Sequence, residues 1–181
     1  MPKNIKMETI ICEKIQRITK NRARLEKALG VKITNKGKDV IIDGAPEDEY
    51  FAEKVIVALD FGFPFSIALL VKDEDNILET LNIKDYTKKK DLKMVRARII
   101  GTKGKALRTL NELTKCHFEL KDNQVGIIGE PEYIKNAQEG MISLIRGAKW
   151  ANVYAFLEKH QVKPILDLGL KPMKKSKKKN R

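Results

Sequence analysis

The sequence predicts an α+β protein: two tandem copies of one βααββα module, then an extended C-terminal helix and a basic tail. Three observations carry this. Shifted by 85 residues, the 181-residue chain matches itself without gaps, with identities at Ile15/Ile100, Lys20/Lys105, Leu25/Leu110, Val40/Val125, Ile42/Ile127, Gly44/Gly129, Pro46/Pro131, Glu47/Glu132, Ala52/Ala137 and Leu59/Leu144. A repeat of this length is one supersecondary unit used twice. Within each copy, the apolar spacing switches between helical and strand periods in the same order. The charge is also segregated. Of the net +13, residues 1–86 contribute −1 and residues 87–181 contribute +14.

In chain order, residues 3–7 are expected to be extended and to lead into a short helix ending near Ile15. Residues 23–29 read as a second helix, and 31–34 and 39–42 as strands. Gly44-Ala45-Pro46-Glu47 then opens a helix carrying Phe51, Val55, Ile56 and Leu59, because proline suits the first helical turn and acids suit its positive end. Residues 62–78 are read as a linker, with Asp73-Glu74-Asp75-Asn76 as its polar part. The second copy starts with an extended stretch, 79–86, and a helix ending near Ile100. Residues 105–115 place Ala106, Leu107, Leu110 and Leu113 on one helical face. Strands at 117–120 and 124–128 flank the polar turn Lys121-Asp122-Asn123. Pro131 opens a helix through Ile134, Ala137, Met141, Ile142 and Ile145, and the apolar pattern runs on past Gly147 through Val153 and Leu157. The expected domains are 1–75, 76–161 and a basic, disordered tail at 162–181.

Composition excludes several classes. At 42% hydrophobic residues the chain supports a packed core, so full disorder is out. The longest near-apolar run, 61–71, is about half the ~20 residues of a membrane span. The first residues lack the apolar stretch of a signal peptide. Cys12 and Cys116 are the only cysteines, which gives no disulfide framework and a cytoplasmic expectation. Seven of the last eleven residues are basic. A segregated basic excess points to a polyanion, here a nucleic acid, and not to a membrane.

The chemistry lies in Gly101-Thr102-Lys103-Gly104, ahead of Lys105 and the basic helix carrying Arg108. Glycines permit a tight turn and close backbone approach. A helix N-terminus with free N–H groups favours phosphate, and Lys103 and Lys105 add mobile charge. A nucleotide-triphosphate loop is excluded, because Ile99 stands where it needs glycine and Ala106 where it needs Ser or Thr. The first copy has Gln16-Arg17-Ile18-Thr19 at the aligned positions, so backbone approach there is hindered. Its charge is split: nine basic residues and one acid over 14–38, then eleven acids and three lysines over 43–85.

With this loop at this place in a βααββα module, the second copy resembles a type I KH domain. The first resembles a degenerate one. In that family the loop clamps a short single strand while an apolar groove receives the bases. The resemblance assigns backbone clamping to Gly101, Thr102, Lys103 and Gly104. It places Ile100 at the groove floor, His117 and Glu119 as base-edge candidates, and Arg96, Arg98 and Arg108 as phosphate candidates. A degenerate copy before an intact one is similar to the partner-of-Nob, or Dim-type, family, in its archaeal form. Ile127-Ile128-Gly129-Glu130-Pro131-Glu132 and the extended end 145–158 carry that likeness. It implies a non-catalytic small-subunit ribosome assembly factor that binds pre-rRNA near its 3′ end. The implied partners are a Nob-type endonuclease and pre-small-subunit proteins. The alternatives are a generic KH regulator of mRNA or of an exosome-like complex, and a scaffold docking protein through the first copy.

Other features carry less. Trp150, Tyr154 and Phe156 read as packing residues, and 6% aromatics do not make a broad stacking platform. Cys116-His117 has no second Cys/His pair to complete a metal site, so no metal, cofactor or catalysis is expected. Replacing Gly101 and Gly104 together by Asp is expected to abolish RNA binding and leave the fold intact.

Overall fold

The computed structural model describes residues 9–161. The proposed extended stretch at 3–7 and the tail at 162–181 lie outside them. Two three-stranded antiparallel sheets organise the chain. In the first unit β1 (Thr9–Ile11), α1 (Ile15–Leu29), β2 (Lys32–Lys36), β3 (Asp39–Asp43) and α2 (Pro46–Phe61) follow one another, with sheet order β1-β3-β2. Two short helical turns, α3 (Phe65–Ala68) and a 3-10 turn at Leu69–Lys72, end the unit. The second unit runs β4 (Ile77–Asn82), α4 (Ile83–Tyr86), α5 (Leu92–Ile100), a 3-10 turn at Thr102–Gly104, α6 (Lys105–Thr114), β5 (His117–Lys121), β6 (Gln124–Gly129), α7 (Pro131–Arg146) and α8 (Trp150–Lys159). Its sheet order is β4-β6-β5.

The 85-residue shift superposes β2 on β5, the starts of β3 and β6, and both ends of α2 and α7. The central strands carry the matched Val40, Ile42, Val125 and Ile127, all fully buried. The shift fails upstream of these elements. Where the second unit has the loop and α6, the first has one unbroken helix from Ile15 to Leu29, and where the second has α5 the first has β1 and a turn. The expected short helix ending near Ile15 is absent, and the helix expected at 23–29 begins at Ile15 instead. Without glycines at 16 and 19, no residue there takes the positive φ that ends α5 at Gly101 and starts α6 at Gly104.

The expected linker is a packed element instead. Phe63, Ala68 and Val71 belong to the first core. Phe63 is 1% exposed, and the Arg24 guanidinium sits 4.2 Å above the Phe65 ring. Lys72 Nζ donates to Ala28 O at 2.7 Å. Only the turn after it, with Asp73, Glu74 and Asp75 exposed, keeps a linker's character.

The segment 61–63 joins the units. The sheet of the second unit has its helices on one face and the first unit on the other. Val125 and Ile127 face the helices, whereas Ile128 packs into the first core. Gly126 makes the approach possible: a Cβ there would lie 2.8 Å from Phe61 Cε1 and 2.9 Å from Phe63 Cε2. Lys14 Nζ donates to Phe61 O at 2.9 Å, and Arg17 donates to Gly62 O and, at 3.1 Å, to Phe63 O. These two first-copy cations therefore bind the chain's own backbone. Beneath them Asp60, 8% exposed, accepts from Lys14 N at 2.6 Å and from Lys121 Nζ at 2.8 Å.

Candidate RNA interface

Helix α5 starts on Asp91, whose Oδ1 accepts from the N–H groups of Lys93 and Met94 at 3.1 and 3.2 Å, a standard N-cap. It buries Val95 and Ile99 and leaves Ile100 39% exposed at its end. Gly101 then has φ 71 and ψ 178, a conformation essentially confined to glycine. Lys103 (φ 52, ψ 30) and Gly104 (φ 73, ψ 11) are both left-handed. This sequence of turns reverses the chain within four residues. The Gly104 N–H donates to Gly101 O at 3.2 Å, and Arg108 Nη2 braces the turn by donating to Lys103 O at 2.7 Å. Thr102, Lys103 and Lys105 are exposed. Helix α6 starts immediately, so its positive end points back at the loop. The result is an exposed, cation-flanked backbone turn at a helix N-terminus, suited to a phosphodiester.

Five of the sequence-derived residues, Gly101 to Lys105, thus form one continuous surface, with Ile100 adjoining it and Arg108 bracing it. The other arginines do different work. Arg96 Nη1 donates to Asp122 O at 3.2 Å and to Asn123 Oδ1 at 2.8 Å, tying α5 to the β5–β6 turn. Arg98 Nη2 donates to Gly147 O at 3.0 Å and to Ala148 O, so this cation caps the negative end of α7. These bonds give Arg98, expected as a phosphate contact, a structural role as well. Arg98→Ala is expected to lower the unfolding free energy by about 2 kcal/mol, the scale of charge-assisted hydrogen bonds. Lys103→Ala should leave it unchanged; urea unfolding of both checks this.

His117 and Glu119 are not brought to the loop. Strand residues alternate between faces. Phe118 is buried in the second core, so 117, 119 and 121 face the other way, toward the first unit. There His117 pairs with Ile128 and Glu119 with Gly126 across the ladder. A Cβ on Gly62 would meet Glu119 Cγ at 3.2 Å. Burial lowers the His117 pKa and raises that of Glu119, the latter opposed by a backbone hydrogen bond from Leu120 and by nearby Arg17 and Lys14. The base-edge reading of both residues is corrected accordingly. Leu120, on the helix-facing side of β5 and partly buried, was overlooked, although period-two alternation from Phe118 identifies it.

Burial pushes both thiols up to about 11, so neither Cys12 nor Cys116 is a ready metal ligand or nucleophile. Among the described residues no group of three His, Cys, Asp or Glu side chains is placed to hold a metal ion. No described helix is long and apolar enough to cross a membrane. Trp150 and Tyr154 pack against the second core, their ring centroids 5.6 Å apart.

Comparison with known proteins agrees with this geometry. Residues 77–162 match a family model described as the eukaryotic-type KH domain, KH-domain type I. A KH domain-containing protein of Methanocaldococcus jannaschii is 32% identical over 152 residues, covering 77% of this chain and 64% of that protein. The pre-rRNA-processing protein PNO1 of Kluyveromyces lactis is 36% identical over 101 residues, covering 55% of this chain and 36% of its own length. The chain therefore spans less than two thirds of the length of either relative. Among solved structures, Dim2p of Pyrococcus horikoshii aligns with a TM-score of 0.78 at 26% identity, covering 85% of this chain and 99% of that one. The structure of a complex of a/eIF2alpha, aDim2p and rRNA from the same organism contains a chain that aligns with a TM-score of 0.76 at 27% identity, covering 85% and 93%. In sequence and in fold the chain is thus similar to archaeal Dim-type KH-domain proteins.

Proposed function

We propose that this chain is a non-catalytic, RNA-binding assembly factor of the small ribosomal subunit. It holds single-stranded rRNA near the 3′ end through the loop at Gly101–Gly104. The observation that carries the reading is the loop itself: a left-handed backbone turn, flanked by exposed Lys103 and Lys105, at the start of α6. Two names support the choice of RNA. PNO1 is a pre-rRNA-processing protein, and the P. horikoshii aDim2p was solved in a complex with rRNA. On this reading, residues 76–161 are the clamping KH domain and residues 1–75 a degenerate one. In the degenerate domain, the continuous helix α1 replaces the clamp. A Nob-type endonuclease is the partner that would cut the RNA so presented.

In-cell crosslinking with mapping of the bound RNA tests the proposal. Sites concentrated at the 3′ end of small-subunit rRNA are expected. Sites spread over mRNAs would instead favour a generic regulator. A tail contribution is separable. Deleting 171–181 removes seven cations and should weaken all RNAs alike while flattening the salt dependence. A sequence-selective loss would contradict that role.

A second reading, protein docking through the first unit, rests on exposed apolar side chains there. Tyr50 and Val57 are 53% and 39% exposed on α2, next to β4 at the edge of the second sheet. A pull-down insensitive to RNase and to loop mutation would support it, and both roles are compatible.

A further inference from the structure

A depression of about 410 Å³ opens on the α8 side of the loop. Its volume falls within the ~300–1,000 Å³ typical of small-molecule sites. It exists because the residues beneath it are small: Ala97 and Ala106 belong to its lining, and Gly101 has no side chain to fill it. The opposite wall is Trp150 and Tyr154, one turn apart on α8. Each is partly buried, packing against the second core while it also lines the depression. Arg98 and Lys105 contribute the charge, and no carboxylate of the described residues lines the space. The guanidinium of Arg98 is held in place by Gly147 O and Ala148 O. Its Nε is buried without a hydrogen-bond partner among the described residues.

An aromatic wall, a small-residue floor and two cations form a place for a base with its phosphate. Stacking on aromatic side chains is sequence-tolerant, because every base has a π-face. The depression is continuous with the loop, since Gly101, Thr102 and Lys105 belong to both. A peptide side chain would fit the apolar part but would leave the cations unanswered.

We propose that this depression takes an unpaired nucleotide of the strand lying just beyond the ~4 nucleotides that a KH loop clamps, its base stacked on Trp150 and Tyr154. The inference rests on the RNA-binding reading of the loop and adds a subsite to it. The chain would then hold a longer single strand than one KH groove covers, with the loop gripped from both sides.

The sequence supplies the probe, because Trp150 is its only tryptophan. Four- and eight-nucleotide oligoribonucleotides, labelled for anisotropy, are titrated into the full chain while tryptophan fluorescence is followed. The eight-mer is expected to bind about tenfold more tightly than the four-mer, the scale of one stacked base, and to quench Trp150. Tyr154→Leu keeps apolar packing. It should abolish most of the length gain, leave four-mer affinity within about twofold, and retain the melting transition. Eight-mer binding with unchanged fluorescence, or an undiminished length gain in a folded Tyr154→Leu, overturns the subsite and leaves the loop reading standing. If neither oligonucleotide binds, the loop reading fails and the subsite falls with it. Should Tyr154→Leu not fold, the wild-type quench decides alone: quenching by the eight-mer supports the subsite and its absence overturns it.

Discussion

Gly104→Asp is expected to weaken binding of a short single-stranded RNA about hundredfold, with little change in the fold. The two loop glycines differ in what they tolerate. At Gly101 an added Cβ would stand 2.4 Å from Ala106 Cβ and 3.0 Å from Ala106 N, so any side chain there displaces the start of α6. At Gly104 an added Cβ meets nothing within 4 Å. The cost there is the left-handed backbone alone, about 1 kcal/mol, and Asp is among the residues that visit that region. The expectation that both glycines can be replaced while the fold survives is therefore corrected: Gly101→Asp confounds binding with local unfolding, and Gly104→Asp does not. The carboxylate would project where the phosphodiester is expected to lie. Losing two backbone contacts to a charged group, at roughly 1.5 kcal/mol each, gives about two decades in affinity. Gly104→Ala adds the Cβ without the charge and should cost only several-fold. Fluorescence anisotropy with a labelled oligonucleotide, beside thermal melting, checks all three. Affinity within threefold of wild type for Gly104→Asp would mean that the loop is not the clamp.

The parts of the fold governed by local chemistry were legible in the sequence. Pro46 and Pro131 mark the starts of α2 and α7, and the 85-residue register carries β2 onto β5. The loop was legible because the glycines at 101 and 104 have a distinctive backbone role that no apolar pattern masks. What failed depended on tertiary packing. Residues 62–72 have the glycine and proline of a linker, yet Phe63 and Val71 have a core to enter, and nothing local announces that core. Arg96 and Arg98 resemble phosphate ligands in sequence, and nothing local announces that each also binds a backbone carbonyl 26 to 50 residues away. His117 and Glu119 were misplaced for a simpler reason. Alternation about Phe118 already sent them to the face away from the helices; only the covering of that face by the first unit was invisible.

A part-buried ion pair crosses that covering beside its apolar contacts, and breaking it is expected to have the largest effect on stability. Lys121→Met should lower the unfolding free energy by about 3 kcal/mol, the usual result of leaving one buried partner behind. The side chains of Lys121 and Asp60 are 17% and 11% exposed and lie 2.8 Å apart. Without the ammonium, Asp60 keeps only the Lys14 N–H at 2.6 Å, too little to solvate a carboxylate. Glu13, 63% exposed at 3.0 Å from Lys121, contributes little by comparison. The pair spans 61 residues of sequence, so its loss should also loosen the coupling of the two units. A urea transition that is single in the wild type would then separate by probe. Pairing Lys121→Met with Asp60→Asn removes the stranded charge but keeps the acceptor for Lys14 N, and should restore most of the loss. The pH dependence has a definite sign. Burial alone would lower the Lys121 pKa, but the hydrogen bonds to Asp60 and Glu13, with their charges, outweigh it and raise it above its ordinary 10.5. A group whose pKa is raised on folding contributes fully below its unfolded value and loses that contribution as pH climbs through the folded one. The wild type should therefore shed this stability only above about pH 10.5, and Lys121→Met should lack that alkaline step. A loss below 1 kcal/mol at pH 7, or an unchanged alkaline profile, would show that apolar packing of Phe61, Phe63 and Ile128 holds the units together without the pair.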